Sequence, residues 1–135
     1  MRFDRFTAKL QQALSDAQSI AVGRDHSSIE TVHLLLALLQ QKDGSVSPLL
    51  KQAGANLANL DKKLNEQLER VATLKNPTGE VQVGQDLQRV FNLTDKLAQQ
   101  RQDQFIASEL VLLAIMDAGG DTAKSLQQSG VDKAR

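Results

Sequence analysis

Cysteine is absent from this 135-residue chain, which excludes disulfides, Cys-ligated zinc and thiol catalysis and is compatible with a reducing compartment. Tryptophan and tyrosine are absent too, and four phenylalanines are the whole aromatic content, so the core must be built from Leu, Ile, Val and Ala. Charge of neither sign predominates. Sixteen basic and sixteen acidic residues cancel, with no block of like charge, which argues against nucleic acid or an anionic membrane as the main partner. No stretch approaches a membrane span, and Met1-Arg-Phe-Asp-Arg-Phe6 lacks the apolar run of a targeting signal, so the cytoplasm is the expected compartment. The length is that of one domain, enough to bury roughly two-thirds of the surface of its extended chain.

What is present is a repeat. Residues 10–39 overlay residues 87–116 at a constant offset of 77 with no gap. Leu10, Gln11, Ala21, Arg24, Ile29, Leu35, Leu36 and Ala37 meet Leu87, Gln88, Ala98, Arg101, Ile106, Leu112, Leu113 and Ala114. After one deletion the match resumes, Leu50-Lys-Gln-Ala-Gly54 over Leu126-Gln-Gln-Ser-Gly130. Two copies of a supersecondary unit suit one pseudo-symmetric domain rather than a solenoid, which needs three or more.

Within the first copy, Phe3, Phe6, Leu10, Ala13, Leu14, Ala17 and Ala21 recur at helical steps, with Asp4 as expected N-cap and Gly23 as stop. A second helix, residues 30–40, is apolar on nearly every side. Ser47-Pro48 reads as the N-cap and first residue of a short third helix ending at Gly54. Asn56 caps a fourth, striped by Leu57, Leu60, Leu64, Leu68 and Val71 and reaching about Leu74. The second copy predicts helices over about 85–102 and 108–117, a break at Gly119-Gly120, and a seventh helix capped by Asp121 and stopped by Gly130. Glu80-Val-Gln-Val83 alternates but is too short and isolated to be read as a strand. The expected fold is all-α: two tandem four-helix repeats about a pseudo-twofold axis, covering 1–75 and 85–135 and joined by a linker over 76–84. Asp132 should cap an eighth helix that is cut off or disordered, which suggests a fragment of a longer protein.

Catalytic signatures are few. There is no phosphate-binding glycine loop and no His-Glu-x-x-His. Glu30-Thr-Val-His33 has the spacing of one di-iron half-site, but the second copy offers Ala107-Ser-Glu-Leu110, and the other histidine, His26, lies on a loop. A lone histidine beside an apolar helix more often satisfies a backbone group. Asp103 and Glu109 are near one another in sequence, though solvated carboxylates are common where a helix starts. No residue stands out as a nucleophile, and neither a metal nor a catalytic site is expected.

The copies differ in apolar content. Leu93, about 40° beyond the edge of the helix-five stripe by wheel arithmetic, replaces Asp16. Leu110 replaces His33. These leucines either pack against the other repeat or border an exposed groove for protein or peptide. Thr7, at the rim of the helix-one stripe, fits a first-turn residue occupying a free backbone group.

Met1-Arg-Phe-Asp-Arg-Phe-Thr7, Ala13-Leu-Ser-Asp-Ala-Gln18, Val32-His-Leu-Leu-Leu-Ala-Leu-Leu39, Gly44-Ser-Val-Ser-Pro-Leu-Leu50, Asp95-Lys-Leu-Ala98 and Ser108-Glu-Leu110 together resemble the duplicated Clp-N repeat at the N-terminus of bacterial ClpB-type AAA+ disaggregases. The likeness covers essentially the whole chain, and Gly44 to Leu50 with the chain start favours the ClpB type over ClpA or ClpC. The resemblance implies a substrate-engaging domain at the entrance of a hexameric threading machine, itself a monomer when isolated, that binds apolar segments of unfolded or aggregated polypeptides. It matches Thr7, Asp103 and Glu109 to polar functional residues and Leu93, Leu97 and Leu110 to the apolar groove. ATP, magnesium and DnaK docking belong, on this resemblance, to other domains, leaving no cofactor for this chain. An adaptor-docking N-domain of a protease-partner unfoldase is the alternative. Thr31 departs from the proline common in Clp-N repeats, but it caps a helix start nearly as well, as does Ser108 in the second copy.

Overall fold

In the computed structural model, which describes residues 3–131, Thr7 rather than Asp4 opens the first helix. Phe3–Arg5 form a single 3₁₀ turn, and α1 runs Ala8–Gly23, its free Leu10 N–H donating to Thr7 Oγ1 at 3.3 Å. Phe3 and Phe6 therefore leave the α1 stripe. They join Phe91 in an aromatic trio with ring centroids 5.3–5.6 Å apart, so part of the core is aromatic after all. The remaining helices among the described residues are α2 (Thr31–Gln40), α3 (Val46–Gln52), α4 (Leu57–Glu69), α5 (Gln85–Arg101), α6 (Ser108–Ala118) and α7 (Gly120–Gln128). The fold is all-α. α2 touches α1, α3, α4, α5 and α6, which is why eight of its ten residues are buried and why its sequence shows no polar face.

Several helix starts differ from expectation for one reason: the residue before the first helical one makes the cap, and its identity depends on tertiary neighbours. Glu30 precedes α2 and forms a capping box with His33, leaving Thr31 as the buried first residue. Ala107, not Ser108, precedes α6. α3 begins at Val46, so Ser47 lies inside its first turn and donates to Leu39 O at 2.9 Å; Pro48 also falls in that turn, where no intrahelical partner is lost. Gly119 precedes α7, and Asp121 sits in its first turn. Asn56 caps α4 as expected, accepting from Asn59 N at 3.0 Å. That helix stops at Glu69, short of Leu74, because Ala72 and Leu74 pair with the loop after α1. Asp132 and any eighth helix lie outside the described residues.

The 77-residue offset reappears in the hydrogen bonds. Thr7 N–H donates to Ile106 O at 2.9 Å and Ile106 N–H to Arg5 O at 2.8 Å. In the counterpart, Gly84 N–H donates to Ile29 O and Ile29 N–H to Gln82 O, both at 2.9 Å. Each repeat's loop thus binds the segment that opens the other repeat, through parallel bridges Phe6/Ile106 and Ile29/Val83. The end of the 76–84 linker, residues 82–84, is thereby held against repeat one, and the Val83 alternation set aside in the sequence is the pattern of this pairing. α3 and α7 both end in Schellman turns with left-handed Gly54 (φ 96) and Gly130 (φ 104). These two glycines meet: a Cβ on Gly130 would lie 2.8 Å from Gly54 O.

Gly130→Ala accordingly combines a positive φ with a backbone clash and is expected to destabilise by about 2 kcal/mol or more in urea unfolding. Gly23→Ala, at the end of α1 with open space around it, should be neutral or stabilising by up to about 1 kcal/mol. Equal effects at the two sites would show that the close approach is not retained in solution.

Candidate functional site

The sequence-predicted residues fall into two groups on repeat two. α5 ends in a left-handed Gln102 (φ 59), and the loop to α6 frames an open depression of about 260 Å³. Asp103, Glu109 and Leu110 line it together with Arg101, Phe105 and Leu113. Leu93 and Leu97 do not line it; they are half-buried against the core one and two turns back along the α5 row that ends in Arg101. Leu113 and Met116, half-buried on α6, flank the core in the same way. Leu110 is only 7 % exposed, so it forms the floor and not the lip.

Polar groups hold the rim. Asp103 pairs with Arg101 Nε at 3.4 Å, and its backbone O, like that of Gln104, accepts from the Arg5 guanidinium, which also approaches Asp95 at 3.8 Å. Glu109, in the first turn of α6, accepts from Ser45 Oγ of the loop before α3. Thr7 lies outside the depression; as N-cap and donor to Ile106 O it steers the chain start onto the same loop.

At the equivalent place in repeat one the positions of Asp103 and Leu110 are held by His26 and His33, which are buried with Nδ1 of His26 2.8 Å from Nε2 of His33. Glu30 N–H donates to His33 Nδ1 at 2.8 Å, which makes Nδ1 the bare nitrogen and Nε2–H the donor to His26. His33 therefore satisfies a backbone group, and no cluster of three or more metal-binding side chains occurs among the described residues. Burial and the neighbouring His26 push His33 down to about 4, and burial with the Arg24 charge also lowers His26.

A larger pocket of about 490 Å³ opens between the repeats, with Glu30, Arg70, Asp86, Arg89 and Asp121 on its walls. Glu30 accepts from Ser28 Oγ and lies so close to Gly84 that a Cβ there would stand 2.5 Å from its carboxylate. Two carboxyls thereby meet at the N-terminus of α5. Desolvation, a hydrogen bond with Glu30 and the charge of Glu30 push Asp86 up to about 7, although the residue remains exposed to solvent.

The sequence model of the Clp repeat (R) N-terminal domain matches residues 5–129. The chain belongs to the Clp-N domain family. It is 54 % identical over 133 residues to the chaperone protein ClpB of Pseudomonas putida, an alignment covering 98 % of this chain and 16 % of that protein, so it corresponds to the N-terminal region of a much longer relative. Among solved structures, the Hsp104 N-terminal domain of Candida albicans superposes with a TM-score of 0.83 at 19 % identity, covering 96 % of this chain and 84 % of that one. The N-domain of ClpV from Vibrio cholerae gives 0.80 at 20 % identity, covering 98 % and 80 %. At those identities the likeness is one of fold.

Sequence reasoning missed one residue of this Clp-N surface. Phe105, at 66 %, is the most exposed large apolar side chain among the described residues. Its counterpart is Ser28, so a third polar-to-apolar difference between the copies carried the signal beside Asp16/Leu93 and His33/Leu110.

The shifted groups give the Clp-N domain an acid response of two opposing parts. His33 takes up a proton near 6.5 when unfolded but only near 4 when folded, so its stabilisation is complete above pH 6.5 and lost as pH falls through 4. Asp86 has the opposite sign: its stabilisation is complete below 3.8 and lost as pH rises through about 7. Asp86→Asn removes the second part, so its unfolding free energy should rise more steeply with pH than the parent's between about 4 and 6.5. The added slope is at most about 1.4 kcal/mol per pH unit, and less for a group screened by solvent. Parallel pH profiles for the two proteins would refute the raised carboxyl.

Proposed function

We propose that this chain is the client-engaging N-terminal domain of a ClpB-type ATP-driven disaggregase, holding exposed apolar segments of unfolded or aggregated polypeptides on its second repeat. The observation that carries this reading is the open depression with Phe105 exposed beside an aliphatic floor of Leu110 and Leu113 and a rim of Arg101, Asp103 and Glu109. Half-buried Leu93 and Leu97 extend the apolar surface along α5. An apolar centre with a charged rim is the anatomy of a protein-binding patch.

A few such side chains contribute about 1.5–3 kcal/mol each when fully covered, which after ordering costs leaves roughly micromolar to millimolar affinity. Weak binding suits a machine that passes its client on. In this reading the chain works as one unit ahead of the ATPase domains of a cytoplasmic hexamer. ATP, magnesium and DnaK engage those other domains. The balance of basic and acidic residues argues against nucleic acid or anionic lipid as its main partner.

The test is a chemical-shift titration of the domain with a permanently unfolded client protein. Residues of the depression and the Leu93–Leu97 row should shift, and Phe105→Ser should weaken binding about fivefold or more with unfolding free energy within about 0.5 kcal/mol of the parent. Leu110→Ala, by contrast, should cost about 2–4 kcal/mol of stability because it removes floor atoms from the core. Shifts confined to other surfaces would end the groove reading. Tight, saturable capture of one folded protein in place of unfolded chains would favour adaptor docking.

A further inference from the structure

Phe105 is held on both sides by a single residue of the other repeat. Two planar peptide units flank its Cα, so fixing both of them fixes the direction in which its side chain leaves the backbone. The carbonyl of the preceding unit, Gln104 O, accepts from Arg5 Nε at 3.2 Å. The N–H of the following unit, Ile106 N, donates to Arg5 O at 2.8 Å. A further guanidinium donor, Nη2, reaches one unit back to Asp103 O, and Nη1 stands 3.8 Å from Asp95 Oδ1 on α5. Arg5 is itself well placed to act as a fixed point. It closes the 3₁₀ turn, precedes the buried Phe6, and has only 23 % of its side chain exposed.

Repeat one has just the main-chain half of this arrangement. The counterparts of Arg5, Gln104, Phe105 and Ile106 there are Gln82, Ser27, Ser28 and Ile29. Ile29 N–H donates to Gln82 O at 2.9 Å, which repeats the bond from Ile106 to Arg5. Gln82, however, is exposed, and its side chain makes no hydrogen bond to Ser27 among the described residues. Asp95, the carboxylate behind the guanidinium, is replaced by Gln18. Ser28 turns its hydroxyl to Glu30. The fork and its carboxylate thus occur only where the flanked residue is an exposed phenylalanine.

We propose that Arg5 is a positioning residue for the client site, fixing the backbone on both sides of Phe105 so that the ring is already aimed in the free domain. This inference rests on the client-engaging reading above and adds the residue that pre-organises it. Ordering a loop and its side chain on binding lowers affinity, and a backbone fixed beforehand removes part of that cost. Arginine suits the task because its planar guanidinium presents several donors in one rigid fork, whereas lysine offers a point charge on a flexible stem. Arg5 acts through Phe105, not by touching the client. The start of repeat one thereby becomes part of the site on repeat two.

The test is a double-mutant cycle on affinity for reduced, carboxymethylated lysozyme, a permanently unfolded polypeptide, with the parent chain, Arg5→Gln, Phe105→Ser and the double variant. Arg5→Gln installs the repeat-one residue and should weaken binding about threefold or more. In the Phe105→Ser background the same change should weaken it less than about 1.5-fold, because the ring it aims is gone. A merely structural loss would act alike in both backgrounds, so equal factors overturn the proposal. Arg5→Lys keeps the charge without the fork and should resemble Arg5→Gln; parent-like affinity in this variant overturns it as well. In ¹⁵N spectra of free Arg5→Gln, the amides of Gln104 and Phe105 should move, since they share peptide units with the two released carbonyls. Unmoved amides would show that the fork does not hold the loop in solution. If Phe105→Ser weakens binding and Arg5→Gln does not, the client site stands and only the positioning role falls. If Phe105→Ser leaves affinity unchanged, the client-engaging reading falls and the role of Arg5 with it.

Discussion

Two isoleucines tie the repeats together. Ile29 and Ile106 each exchange a pair of backbone hydrogen bonds with the residues that open the opposite repeat, and both isoleucine side chains are buried in the core. The exchange sets where each repeat begins. Phe6 is held beside Ile106, so the chain enters α1 from an extended segment, Thr7 becomes the cap, and Phe3 and Phe6 close over Phe91 of the other repeat. On the other side, Val83 is held beside Ile29, and Gly84 enters α5 against Glu30. A buried backbone group that lost its cross-repeat partner would carry the full penalty of desolvation, so neither repeat is complete without the other.

Within that symmetric frame, the two loops after α1 and α5 have different fates. The first is sealed: residues 72–74 pair along it, and His26 and His33 fill its underside with a mutual hydrogen bond and a bond to the Glu30 backbone. The second keeps the backbone form but replaces the histidines with Asp103 and Leu110 and Ser28 with Phe105. One half of the domain thus serves as closed scaffold, and the other presents an apolar surface with charges at its edge.

Much of this was readable in the chain. The all-helical fold, the glycine stops at Gly54 and Gly130, the Asn56 cap and the near-total burial of helix two all follow from local chemistry and periodicity. The caps that were misplaced share a cause. Asp4, Ser47, Thr31, Ser108 and Asp121 all have the right side chains, but a cap forms only where the backbone turns out of the helix, and distant partners decided where that happens. α4 ends early for the same reason, since pairing of residues 72–74 with the first loop competes with continued helix.

The candidate site divides along the same line. Apolar surplus at Leu93 and Leu110 is a property of residue identity, visible by comparing the copies. Whether such a side chain is floor, wall or lip depends on what lies over it, and periodicity is silent about that. Leu110 faces inward because α6 packs on α5 and, through α2 and α3, on the first repeat, whereas Phe105, on the loop between α5 and α6, stays exposed among the described residues. Local interactions along the chain specify helices and their apolar faces. Exposure is a relation between elements far apart in sequence, and it comes into being only when the two repeats close on one another.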